Sequence, residues 1–475
     1  MKQSIIGREY EFELLNRAVQ SDESELIVVY GRRRVGKTFL VNQFFENNFT
    51  FKLTGVYNKP TDVQLERFAS QMELFSGNSI DTPANWYKAF DVLRRYLMQV
   101  STDGKRIIFI DEMPWLDTEG SEFVAAFEQF WNGWASAEGD IVLVACGSAT
   151  SWMTDKLLGD QGGLFNRCAT RMFVRPFTLR ETELYLQSKG MEWTRYDIAQ
   201  CYMIMGGIPF YLKQIQRGKS LAQNVDEMFF RKNGRLEGEY DELYASLYSS
   251  PAPYLSVVEA LGTKNKGLSK EEIVAITGLQ DNGHLKDILE NLDRCDIIRR
   301  YSSYGKQKKL SIYQLIDPFT LFHLRFIRKV AKSEKEVWIH QLDSSRYRTW
   351  SGLAFEQLCM LNHNQLERKL QIAGIQTEVF AWQTPAGAEE QAQIDLIIKR
   401  KDKVVNVCEM KYYNDEYIFK KKDAEELQRR IRIFRETCAV KDAIHPILVT
   451  TYGLRMNEYS SVVQNVITIE DLIKE

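Results

Sequence analysis

The chain has 475 residues, of which 44% are hydrophobic and 27% charged. At ~150 residues per domain this suggests about three domains of ordinary globular composition, which excludes collagen-like, coiled-coil and largely disordered chains. With 62 Lys and Arg against 64 Asp and Glu, the net charge of −2 provides no global field for nucleic acid, so such a contact needs a local patch. The 7 cysteines include no C-x-x-C and the 5 histidines no H-E-x-x-H, which argues against zinc and suits thiols buried in a reducing compartment. The N-terminus carries charges every few residues, unlike a signal peptide. Its longest apolar runs, such as LIVVY (26–30), fall far short of the ~20 residues of a membrane helix. The expectation is a soluble cytoplasmic protein with no membrane partner.

In chain order, Leu26–Tyr30, Arg106–Ile110, Ile141–Cys146 and Arg171–Val174 read as strands. Continuous apolar runs separated by amphipathic helices belong to a parallel sheet covered on both faces. From Leu179 to about Leu247 the pattern is helical, interrupted at GGIP (206–209), and Ser-Pro-Ala-Pro (250–253) marks a boundary. Residues 254–316 read as three helices and a hairpin, a winged-helix pattern. Ser269 and Glu272 form a capping box, and Leu285, Ile288, Leu289 and Leu292 an apolar stripe. A helical connector (318–350) leads to a mixed α and β region.

The stretch Gly31, Arg32, Arg33, Arg34, Val35, Gly36, Lys37, Thr38 fits G-x-x-x-x-G-K-[ST] between an apolar strand and a helix starting at Phe39. Glycines let such a loop turn its backbone N–H groups toward the α- and β-phosphates of ATP. Lys37 then reaches the β/γ oxygens, Thr38 ligates Mg²⁺, and the helix contributes its positive N-terminus. The strand Ile107–Ile110 ends in Asp111 and Glu112, which suit the Mg²⁺-holding acid and the base for the attacking water, respectively.

These residues resemble the AAA-related ATPases of the archaeal-type ATPase family, often placed near the STAND signalling ATPases. GREYEFELLNRA (7–18) looks like the family's entry motif over the base, GRRRVGKT like its phosphate loop, and FIDEMPWL (109–116) like its Mg²⁺ strand. The resemblance covers roughly residues 1–330. It implies a sensor role for Ser148 or Thr150 in CGSATSWM and an arginine finger at Arg167, with Arg171 and Arg175 nearby. It also implies a lid whose Pro209 packs near the adenine, and a winged helix that couples motions rather than reading bases.

The third helix of the winged helix is acidic (Asp281, Asp287, Glu290, Asp293), which disfavours phosphate contact there. The wing is basic, with Arg299, Arg300, Lys306, Lys308 and Lys309. Near the C-terminus, Asp395 in QIDLII and the Glu409-x-Lys411 pair in VCEMKYY lie on two strands joined by a charged turn. Antiparallel pairing would gather them at one sheet edge, as a metal-dependent phosphodiesterase requires, and Glu356 on an upstream helix could complete the metal shell. This segment resembles the PD-(D/E)XK nuclease superfamily. A following helix bearing Lys420, Lys421, Lys422, Arg429, Arg430 and Arg432 offers a phosphate-binding surface.

The expected fold class is α/β. It comprises a P-loop NTPase parallel sheet (1–178), a helical lid (179–249), a winged helix with the start of a connector (250–330), and an α/β nuclease-like domain (331–475). The expected function is ATP hydrolysis coupled to a nuclease-like domain that binds or cuts DNA or RNA. The alternative is a nucleotide-dependent switch whose last domain only binds protein. Homo-oligomer formation is left open.

Overall fold

A computed structural model of the chain describes residues 5–148, 150–159, 170–248, 250–302, 304, 311–330, 337–384 and 387–474. The chain divides into two compact units, residues 1–175 with 246–249, and residues 176–245 with 250–475.

The first unit is built on five parallel strands, β1 (Glu25–Tyr30), β2 (Phe51–Thr54), β3 (Arg106–Asp111), β4 (Ile141–Gly147) and β5 (Thr170–Phe173), ordered β2-β3-β4-β1-β5. Every residue of β3 and β4 is buried, as expected of central parallel strands with both faces covered. One face packs against Trp86, Phe90, Phe123, Phe127 and Phe130 from helices Trp86–Gln99 and Phe123–Gly133. Each such side chain contributes about 1.5–3 kcal/mol by burial. The register pairs Tyr30 with Gly147 and with Phe173, and Thr54 with Asp111, so these strands finish at a common edge. The four strands read from the sequence are present, and β2 is the addition. Its FKLT is short and carries Lys52, whose ammonium donates to Asn42 Oδ1 at 2.8 Å.

In the second unit, helices Leu179–Ser188 and Arg195–Met205 each open with a capping box, on Thr178 and Thr194. The chain turns at Gly206 and Gly207, both left-handed. At Gly207 a Cβ would lie 2.2 Å from the Phe177 carbonyl oxygen, so only glycine fits. Pro209 then starts the short helix Pro209–Leu212.

Next come α1 (Pro251–Leu261), α2 (Lys270–Thr277) and α3 (Gly283–Arg294), followed by an antiparallel sheet in which β8 (Ser311–Leu315) lies between β6 (Leu268–Ser269) and β7 (Ile298–Ser302). The Ser269–Glu272 capping box opens α2, and the four apolar residues read along α3 are buried. The basic turn read as a wing tip (Lys306, Lys308, Lys309) lies outside the described residues. The connector is helical over Pro318–Ile327 and again, for a single turn, over Ile339–Gln341, and buried Asp226 accepts backbone N–H bonds from Val337, Trp338 and Ile339 at 2.7, 2.6 and 3.1 Å.

The last sheet contains β9 (Thr377–Gln383), β10 (Gln393–Arg400), β11 (Val404–Lys411), β12 (Ala443–Thr450) and β13 (Asn465–Thr468), ordered β13-β12-β11-β10-β9. Helix α4 (Ser345–Leu361) precedes it, and α5 (Lys421–Thr437) connects β11 to its parallel neighbour β12. Among the described residues, no helix is long and apolar enough to cross a membrane.

Candidate functional site

Two groups of chemistry-bearing residues stand out, one in each unit. In the first, the phosphate loop leaves the end of β1. Gly31 has φ 138°, and a Cβ there would lie 2.4 Å from the Val174 carbonyl oxygen, so the loop starts only with glycine. Gly36, at φ 93°, caps the helix Lys37–Phe44. Arg32, Val35 and Lys37 are buried, Arg33, Arg34 and Thr38 half-buried, and Phe39 exposed. The Lys37 ammonium donates to the carbonyls of Gly31 and Arg32 at 2.9 and 3.0 Å, which holds it inside the loop. Arg8 of the entry motif, itself left-handed at φ 70°, donates to the Val35 carbonyl at 3.2 Å and so braces the loop from outside. The chain entry therefore has a loop-supporting contact that the motif alone did not announce.

Strand β3 brings Asp111 to the same edge, where the Thr38 hydroxyl is 3.0 and 3.2 Å from its two carboxylate oxygens. A hydroxyl and a carboxylate at hydrogen-bond distance form a donor set suited to a hard cation such as Mg²⁺. Glu112 follows in a left-handed conformation (φ 46°). Its carboxylate accepts from the Ser148 backbone N–H at 3.2 Å and from the Ser148 hydroxyl at 2.6 and 2.7 Å. Since β4 lies between β1 and β3, the residue at its end reaches Glu112 directly. The Thr150 hydroxyl is buried without a hydrogen-bond partner among the described residues. Burial and the adjacent Asp111 push the Cys146 thiol well above its usual range, leaving it neutral. Arg171 and Arg175 are exposed, and Arg175 lies over the Phe173 ring. Arg167 lies outside the described residues. Pro209 belongs to the second unit.

In the second unit, Leu396 pairs with Cys408 across β10 and β11, which sets Asp395 opposite Glu409. On its other side, β10 shifts register against β9 between Ile394 and Ile397, a bulge at Asp395 of the kind that re-aims a side chain. Lys411, two residues along β11 from Glu409 and on the same face, binds its carboxylate at 2.7 Å. Arg430 of α5 also clasps Glu409, at 3.0 Å. Glu356 of α4 is close enough to feel the charges of Asp395 and Glu409. Burial first, then those two carboxylates, push its pKa up to about 8. Burial likewise raises Asp395, partly offset by the Gln393 amide. The four predicted residues are therefore gathered. Among the described residues, however, no group of three or more His, Cys, Asp or Glu stands in metal-holding geometry, and Glu409 faces cations of the chain itself.

Four of the cations read along α5 already have carboxylate partners. Arg429 pairs with Glu426, Arg430 with Glu409, Arg432 with Glu390 and Glu436, and Lys421 with Glu425. Several of these partners sit three or four residues away, the spacing at which helix side chains meet.

The raised Glu356 carboxyl predicts a pH dependence. Between the ordinary glutamate range and about pH 8, the folded chain holds a proton that the unfolded chain has lost. This group's contribution to stability must therefore fall as pH rises through that window. In EDTA, the loss of Tm between pH 5 and pH 9 should be smaller for Glu356→Gln than for the wild type. An equal loss would contradict the assignment.

Residues 5–215 match the family model of an ATPase domain predominantly from Archaea. An uncharacterized protein of Methanocaldococcus jannaschii is 25% identical over 357 residues, covering 74% of this chain and 76% of the relative. An uncharacterized ATP-binding protein of the same organism is 48% identical over 42 residues, which is 9% of this chain and 71% of its own length. A solved Walker-type ATPase of Pyrococcus abyssi aligns with 68% of this chain and 96% of its own at 18% identity, with a TM-score of 0.48. The family match and the phosphate-loop geometry together support an archaeal-type, nucleotide-binding P-loop ATPase domain over residues 5–215.

Proposed function

We propose that the chain hydrolyses ATP with Mg²⁺ and couples the nucleotide state to a nuclease-like domain acting on nucleic acid. The organisation proposed is an ATPase core (1–178), a helical lid (179–249), a winged helix (250–330) and a PD-(D/E)XK-like domain (331–475). Lys37 and the loop N–H groups hold the β- and γ-phosphates. Thr38 and Asp111 are the residues suited to Mg²⁺, which would supply charge stabilisation at the phosphates when bound. Glu112 takes the proton of the attacking water, with Ser148 orienting its carboxylate. Contacts to the γ-phosphate exist only before hydrolysis, so the nucleotide state is available as a signal.

The observation that carries the nuclease-like reading is the grouping of Glu356, Asp395, Glu409 and Lys411 on α4, β10 and β11 beside a strand bulge. In this reading Glu356, Asp395 and Glu409 are suited to a divalent cation, and Lys411 positions the water or the phosphate. One observation favours the alternative of an inactive protein-binding module: Glu409 is already neutralised by Lys411 and Arg430. The deciding experiment is Mn²⁺-dependent cleavage of DNA by the full chain, expected to be lost in Asp395→Ala.

A further inference from the structure

We propose that a single strand of nucleic acid lies in a cleft of about 1220 Å³ in the second unit, its phosphates against Lys266 and Arg299 and a base against Tyr301. The proposal rests on the nuclease-like reading and names the substrate form and the residues that would present it.

The cleft is bounded by β7, β8 and the loop 262–267 on one side, and by α4 and β9–β10 on the other, so Glu356 and Asp395 form part of its wall. It is larger than the ~300–1,000 Å³ of small-molecule pockets. A base can stack on the Tyr301 ring in this wall only when it is out of a duplex, so the aromatic favours a single strand over a double helix.

Charge points the same way. The three other lysines that line the cleft are already paired, Lys264 with Glu272 at 2.7 Å, Lys286 with Glu290 at 3.5 Å and Lys270 with Asp281. Arg299 has no carboxylate partner among the described residues. Its guanidinium donates to Gln314 Oε1 at 2.8 Å, touches Met360 Sδ at 2.7 Å, and lies 5.2 Å from the Tyr301 ring centroid. Burial lowers its pKa, the mark of a cation that lacks a counter-charge. Placing a guanidinium in a desolvated wall without an anion costs free energy, and a phosphate would offset that cost. Lys266, exposed in the loop before β6, is close enough to bias Glu356 and Asp395 by its charge. The Tyr301 hydroxyl donates to the Lys266 backbone carbonyl at 2.5 Å, which ties the loop to β7.

An independent observation also indicates a ligand. Gln357, beside Glu356 on α4, lines the cleft and is only 7% exposed, yet its Oε1 has no hydrogen-bond partner among the described residues. A buried acceptor left unmet is costly unless something else supplies the donor, and a base edge or sugar hydroxyl can do so. Basic residues beside an aromatic platform, with polar groups for the base, are the usual equipment for binding a single strand.

The test is fluorescence anisotropy of a labelled oligo-dT with the full chain in EDTA, where no cleavage occurs. Arg299→Gln and Lys266→Gln should each weaken binding at least ~10-fold and reduce the slope of log K against log salt by about 0.7. Lys266→Arg should keep the affinity. Lys266 is in an exposed loop, so its substitution reports binding even if Arg299→Gln disturbs the fold. Unchanged affinity and slope in both Gln variants, or tighter binding of a duplex than of the single strand, would overturn the proposal. If both variants lose binding but the wild type never cuts with Mn²⁺, the nuclease reading fails and this binding site stands. If the wild type cuts and both variants keep their affinity, the binding site fails and the nuclease reading stands.

Discussion

Lys37→Ala is expected to abolish ATP binding or turnover while leaving the protein folded. Among the described residues, the Lys37 ammonium donates to the buried carbonyls of Gly31 and Arg32, so its removal leaves two acceptors to be met by water entering the space it vacates. That loss is about 1 kcal/mol, equivalent to a fall of ~2–4 °C in the melting temperature of a unit this size. The effect on nucleotide is far larger, because the lysine is the main cation that the loop itself offers to the β- and γ-phosphates. Nucleotide binding by fluorescence or calorimetry, read beside the melting curve, separates the two. Wild-type hydrolysis rates in the variant would show that the phosphate loop has been misassigned.

Glu112→Gln should leave ATP binding intact and slow hydrolysis by at least ~10²-fold, the usual scale for removing a positioned base. The replacement keeps an oxygen able to accept from the Ser148 N–H and hydroxyl, so the 2.6–3.2 Å clasp can survive and the local fold with it. Only basicity is removed. The variant should therefore accumulate in its ATP-bound state, visible as retained nucleotide after rapid gel filtration. If binding falls as much as turnover, Glu112 belongs with Asp111 in holding Mg²⁺, and the division of roles at the end of β3 is wrong.

The parts of this molecule that were readable from sequence are those whose signal is local. The phosphate loop has fixed spacing, and β1, β3 and β4 are unbroken apolar runs because both of their faces are covered. Strand β2 has no clear sequence signal because four residues with a lysine among them carry little pattern, and Lys52 is accommodated by Asn42, on the helix after the loop, and by the rings of Phe49 and Phe109. Arg8 reads as part of a nucleotide-facing motif, while the structure has it pair with Glu11 and donate to the Val35 carbonyl, across 27 positions of sequence. The cluster of Asp395, Glu409 and Lys411 was foreseeable from a hairpin. The clasp of Arg430 on Glu409 was not, since it depends on how α5 packs against β11. The compensated charge along α5 has a more local origin, since Glu425, Glu426 and Glu436 sit three or four residues from the cations they pair with. The raised Glu356 carboxyl, by contrast, comes from burial and two neighbouring carboxylates, which are properties of the fold.

The most direct measurement is cleavage of single-stranded DNA by the full-length chain with Mn²⁺, run beside ATP hydrolysis on the same preparations of wild type and Asp395→Ala. The account predicts cleavage by the wild type, loss of cleavage in Asp395→Ala, and equal ATPase rates in both, since Asp395 lies in the second unit. A wild type that hydrolyses ATP but leaves DNA intact at every metal concentration would contradict it, and the C-terminal domain would then stand as a binding module.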